Sequence, residues 1–195
     1  MPATAEVYIN PVTGERAVVR QKPSPANGDL MVADLHLRPG GRIVGEHVHP
    51  AIEERFTVIR GEAGFRLGGR SDVARPGATI VCPAGVPHDW WNAGASEALV
   101  RVEIRPGSRF RDMVMNLFGL ARDGRTDRRG LPNPFQLALF AREFSDVVYF
   151  TRPPRALQKF LFAALAPIGR LCGYRGSYPE YVTRAPDEVV AIDGE

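Results

Sequence analysis

Between residues 30 and 105 the apolar stretches of this chain are short, rich in β-branched residues, and cut at close intervals by glycine and proline. Stretches 30–37, 42–45, 55–59, 64–67, 79–81 and 99–104 are separated by Pro39-Gly40-Gly41, Gly61, Gly68-Gly69, Pro76-Gly77, Pro83-Ala84-Gly85 and Asn92-Ala93-Gly94. A helix of ordinary length needs about ten uninterrupted residues and a strand about five, so this punctuation admits strands and excludes a helical bundle. Val100-Arg101-Val102-Glu103-Ile104-Arg105 alternates apolar and charged residues, as a strand with one buried face does. Many short strands at regular spacing predict an all-β sandwich or barrel.

Beyond Pro106-Gly107 the period changes. Phe110, Met113, Val114, Leu117 and Phe118 recur at helical spacing, with Ser108 as a candidate N-cap. A loop over 123–134 follows, then a second helical stretch over 135–149. A third is predicted to start at Pro153-Pro154 and to end near Gly173. The expected organisation is a β-barrel domain over 1–106 with its core at 30–105, a helical extension over 107–176 packed on it, and a loose tail over 177–195.

Of the 195 residues, 44% are hydrophobic and 24% charged, which excludes a disordered chain, a collagen-like fibre and a multi-span membrane protein. Lys and Arg number 25 against 22 Asp and Glu, a net charge of +3. Arginines are scattered among acids and no helix carries a basic recognition face, so no nucleic-acid partner is expected. Cys82 and Cys172 fit no metal-binding or disulfide spacing and read as reduced thiols. The first residues lack the charged and apolar regions of a signal peptide. The apolar run 160–169 would reach about 15 Å as a helix, half a bilayer core. A cytoplasmic protein with no transmembrane segment is the expectation.

The chemistry-bearing residues are few. The histidines are His36, His47, His49 and His88. His47 and His49 lie two apart, which in a strand places both imidazoles on one face, and Glu53 and Glu54 follow. Imidazoles with a carboxylate suit Fe, Mn, Zn, Ni or Co, and suit Ca or Mg poorly.

Two spaced patterns surround these residues: Gly41-x5-His47-x-His49-x4-Glu54-x6-Gly61, and Gly77-x5-Pro83-x-Gly85-x2-His88-x3-Asn92. They resemble the two motifs of the cupin superfamily, with every spacing intact, over about residues 30–105. The resemblance implies an antiparallel jelly-roll, or double-stranded β-helix, barrel holding one divalent transition metal ion. It implies His47, His49, Glu54 and His88 as ligands, and a homodimer paired through edge strands. Asn10-Pro11-Val12-Thr13-Gly14 is a candidate strand entering the same barrel. Glu53 is expected to face outward, and Glu46 and Asp89 are candidates for holding the imidazole tautomers.

For a substrate, Phe56 and Val58 share the parity of Glu54, and Trp90 that of His88, so these three are expected to point inward. Arg101 would hold a carboxylate or enolate if its strand face is inward, and is an ordinary solvated residue if outward. The aromatic helical half fits a core packed on the barrel or a dimer interface, a lid over the barrel mouth, or a helix lying in a membrane interface. The resemblance implies a metal-dependent enzyme acting on a small organic, aromatic or enolisable molecule by dioxygenase-type oxidation, with Glu54 also able to serve as a catalytic base. The alternatives are an isomerase or cyclase with a redox-inert metal, and a non-catalytic module binding a small ligand.

Overall fold

The structure is a computed structural model and describes residues 3–42 and 45–192. Twelve strands and four helices follow in the order β1 (Ala3–Ile9), β2 (Arg16–Gln21), β3 (Met31–Leu37), β4 (His47–Val48), β5 (Glu53–Arg60), β6 (Ala63–Leu67), β7 (Arg70–Ala74), β8 (Thr79–Cys82), β9 (His88–Asn92), β10 (Ala98–Arg105), α1 (Ser108–Arg122), α2 (Pro134–Glu143), β11 (Tyr149–Phe150), α3 (Arg155–Leu171), α4 (Pro179–Val182) and β12 (Glu188–Ile192). They form two antiparallel sheets. One runs β12-β1-β2-β3-β10-β5-β8 and the other β11-β4-β9-β6-β7. Phe56 of the first sheet packs against Phe65 and Trp90 of the second, with ring centroids 5.4 and 5.7 Å apart, so the sheets enclose a common interior. This is the expected mainly β jelly-roll with helices at its C-terminal end. Its walls are two sheets rather than one closed ladder.

The alternation in β10 sets the inside and the outside. Ala98, Val100, Val102 and Ile104 are buried, while Arg101, Glu103 and Arg105 lie on the other face. The core does not stop at the sheets. Met113, Phe118 and Leu120 of α1, Phe140 of α2, and Phe144 and Val147 beyond it join the barrel residues in one hydrophobic cluster. Asn133 starts α2, its side chain accepting from the backbone N–H groups of Phe135 and Gln136. Gly119 lets α4 sit on α1, because a Cβ there would come within 2.2 Å of the Tyr181 ring.

Several expectations differ from what is found. Residues 10–14 are the turn between β1 and β2, where Asn10 Oδ1 accepts from the N–H groups of Val12 and Thr13. Ser108 is the first residue of α1 rather than its cap. Gly107 is the cap, and Asp29 accepts from the Ser108 N–H and hydroxyl. The stretch 135–149 is helical only to Glu143, then turns and forms β11. The tail expected to be loose carries α4 and β12, and β12 pairs with β1 from Ala3↔Ile192 to Val7↔Glu188. Of the strand expected at 42–45, Ile43 and Val44 lie outside the described residues.

Candidate metal centre

Each of the four candidate ligands comes from a different local setting. His47 lies in β4 and pairs with His88 of β9 across the sheet. His49 follows β4, and Glu54 is the second residue of β5 in the opposite sheet. The turn that delivers His88 is pinned to the strand that delivers His49, since the Gly85 N–H donates to the His49 carbonyl at 2.8 Å. Gly85 holds φ +80°, a conformation that side-chain-bearing residues rarely adopt. The result is a group of four ligand atoms within 4.8 Å of one another, all on buried side chains. Glu53 is exposed, and His36 is on the outer side, 3.1 Å from Glu97.

Hydrogen bonding fixes the chemistry of the imidazoles. His47 Nδ1 bonds to the Gly45 carbonyl at 2.7 Å, His49 Nδ1 to the Val147 carbonyl at 2.7 Å, and His88 Nδ1 to the Val86 carbonyl at 3.0 Å. A carbonyl only accepts, so each Nδ1 carries a hydrogen, and in the neutral ring Nε2 is then the atom free to ligate. His49 Nε2, His88 Nε2 and Glu54 Oε2 are buried without a hydrogen-bond partner. His88 Nε2 and Glu54 Oε2 are nevertheless only 2.8 Å apart, and His49 Nε2 is 3.5 Å from the same oxygen. An ionised carboxylate this close to two ring nitrogens calls for a positive charge between them, which a proton on His88 or a bound cation provides. Three nitrogens with one carboxylate oxygen are the donors that Fe, Mn, Co, Ni or Zn takes, and the four converging side chains could hold such an ion.

The titration shifts have the same origin. Burial, with the charges of His49 and His88, lowers His47 to about 4. Burial also lowers His49, against the pull of Glu54. For His88, burial is outweighed by its contact with Glu54, and the pKa lies above the ordinary value. For Glu54, burial is outweighed by the three histidines, and the carboxyl lies below its ordinary range. Glu54 is therefore ionised at neutral pH. Cys82 stands opposite Glu54 in the β5–β8 ladder, but burial and the Glu54 charge push its thiol up to about 12. It stays protonated, and its sulfur is not among the four converging ligand atoms.

A cavity of about 180 Å³ extends from this group between the barrel and the helices. Ala17, Met31, Ala33 and Leu35 line it from the barrel, and Phe110, Val114, Leu117, Phe140 and Phe162 from the helices. Phe56 and Trp90 line it as expected. Val58 is fully buried but packs in the core rather than on the cavity wall. Arg101 is a correction: strand alternation turns it to the outer face, where its guanidinium donates to Asp34 at 2.8 and 3.2 Å. Glu46 and Asp89 do not hold the imidazoles, because backbone carbonyls occupy all three Nδ1 positions. Glu46 instead accepts from the Thr151 hydroxyl at 2.8 Å.

The unread contributor is the segment after α2. Val147 orients His49, β11 adds to β4 with Phe150 opposite His47, and the Phe110 ring lies 5.5 Å from that of His49. A backbone carbonyl has no sequence signature, so Val147 carried no signal. Phe110 was visible only as a helix-face residue.

The sequence profile of the cupin domain matches residues 33–104. No curated protein sequence matches the chain. Among solved structures, TT1209 from Thermus thermophilus is 30% identical over 40% of this chain and 72% of that one, with a TM-score of 0.38. A conserved protein with a double-stranded β-helix domain from Klebsiella pneumoniae is 28% identical over 52% of this chain and 85% of that one, with a TM-score of 0.44. The cupin domain of Schizosaccharomyces pombe Cnp3 is 10% identical over 46% of this chain, with a TM-score of 0.42, and the chain spans 63% of its length.

Proposed function

From the match of residues 33–104 to the cupin domain and from the converging side chains, we propose that this chain is a metal-dependent enzyme oxidising a small organic molecule with an aromatic or enolisable head. The observation that carries the reading is the meeting of unpartnered His49 Nε2, His88 Nε2 and Glu54 Oε2 at the end of an apolar cavity. His47, His49, His88 and Glu54 would hold the ion. When bound, such an ion supplies a Lewis acid with open positions and, if redox-active, a site for O2.

The residues of the chain do the rest. Phe56, Trp90 and Phe110 present apolar walls that orient a flat or enolisable substrate and keep bulk water out. Glu54, held ionised by the three histidines, is able to take a proton from an enolisable carbon or a hydroxyl. That capacity also favours a second reading, a proton-transfer isomerase or cyclase around a redox-inert ion.

Metal content and O2 uptake decide between the readings. The purified protein is expected to hold close to one Fe, Mn, Ni or Co per chain and to consume O2 with aromatic diols or β-diketones. Zinc without uptake assigns the isomerase reading. His88→Ala is expected to weaken metal binding by more than the roughly 10–100-fold that loss of an outer partner costs. Unchanged metal retention in that variant overturns the ligand set.

A further inference from the structure

Helix α3 is apolar on two sides. Gln158, Ala166 and Gly169 turn inward, and Gly169 lies against Phe135 and Leu139 of α2. A second stripe, Leu157, Phe160, Leu161, Ile168 and Leu171, faces outward, with Phe160 70% and Leu171 89% exposed. These are five of the eight large exposed apolar side chains among the described residues. An exposed apolar patch of this kind marks an interaction surface.

The charge around the helix indicates what covers it. Residues 147–178 contain Arg152, Arg155, Lys159, Arg170 and Arg175 and neither aspartate nor glutamate, although the whole chain is nearly balanced at 25 basic to 22 acidic residues. On a 3.6-residue period, Arg155, Lys159 and Arg170 fall on the flank opposite the exposed stripe. No helix is long and apolar enough to cross a membrane. A helix with Phe and Leu on one side, cations on the other and no acid lies flat at a bilayer surface, its apolar side among the acyl chains and its cations at the phosphates. A second copy of the chain would instead bring five more positive charges from the same segment and no negative one.

We propose that α3 docks the protein on an anionic phospholipid surface. The test is flotation of the intact protein with phosphatidylcholine vesicles, with and without phosphatidylglycerol, at low and high salt. Binding is expected with phosphatidylglycerol and is expected to fall as salt rises. Phe160→Ser and Leu171→Ser are each expected to weaken it about tenfold, and Lys159→Gln and Arg170→Gln roughly fivefold each. These side chains are exposed, and an unchanged circular dichroism spectrum confirms the fold of each variant. Absence of partition, or equal partition onto both vesicle types, overturns the proposal. So does a dimer in solution that Phe160→Ser dissociates, which assigns the stripe to a second copy. None of these readouts depends on metal or turnover, so failure here leaves the enzymatic reading standing, and the reverse.

Discussion

Two of the three imidazoles are oriented from within their own turn and the third from across the fold. Gly45 and Val86 each lie two residues before the histidine they hold, whereas Val147 lies 98 residues after His49. The barrel therefore carries the ligands and the means to aim two of them, and the helical half aims the last. The helices are also the outer wall of the cavity, and β11 extends the sheet that bears His47. The comparison teaches that the extension completes the site: without it, His49 has no fixed tautomer and the cavity has one side.

The strongest way to break the comparison is Phe144→Ala. Phe144 is fully buried, and its carbonyl accepts from the N–H groups of Val147 and Val148, forming the turn that presents the Val147 carbonyl. Truncation is expected to cost about 3–5 kcal/mol in chemical denaturation. If the extension aims His49, metal affinity should also fall about 10–100-fold. Nitrogen NMR of the variant should then show a changed tautomer at His49, with His47 and His88 unaltered. A change at all three would mean the barrel half has no independent hold on its own ligands.

The next effect concerns the barrel half in metal-free protein. His47 falls from its ordinary 6.5 to about 4 on folding. Between those values the unfolded chain binds a proton that the folded chain refuses, so His47 makes stability fall as pH falls from about 6.5 to about 4. The size is on the order of 3 kcal/mol. His88 acts in the opposite sense, its raised pKa giving stability that is full below its unfolded value and lost as pH rises. Denaturation midpoints of metal-free wild type and His47→Gln, measured across this range, isolate the His47 slope, which the variant should lack.

The smallest expected effect is at Arg101. Asp34 also accepts from Arg20 at 3.1 Å, so Arg101→Gln should cost about 1 kcal/mol and leave metal content and substrate KM unchanged. A raised KM would place Arg101 in the substrate site, against its outward face.

Much of the site was legible because its rules are local. Strand parity placed His47 and His49 together, and the resemblance of the two spaced motifs to those of cupins selected Glu54 over Glu53 and added His88. Parity also placed Phe56 and Trp90 on the cavity. It could not say which face of β10 is inside, since alternation gives two faces without naming them. The turn after α2 was unreadable for a different reason. The residues of 135–149 suit a helix, and only packing of Phe144 and Val147 into the shared core, with pairing of β11 to β4, ends α2 early.

The sequence by itself determined the β architecture and the ligand types, because turn residues, period-2 alternation and donor chemistry act over a few residues, while the convergence of the four ligands was implied by the resemblance of the two motifs to those of cupins. The tertiary structure decided the rest. It turned Arg101 outward, tied the last residues into the first sheet, closed the cavity with helices and set the His49 tautomer from a distant carbonyl. Those outcomes depend on which surfaces meet and which backbone groups are left to pair, and a residue pattern carries no record of its distant neighbours.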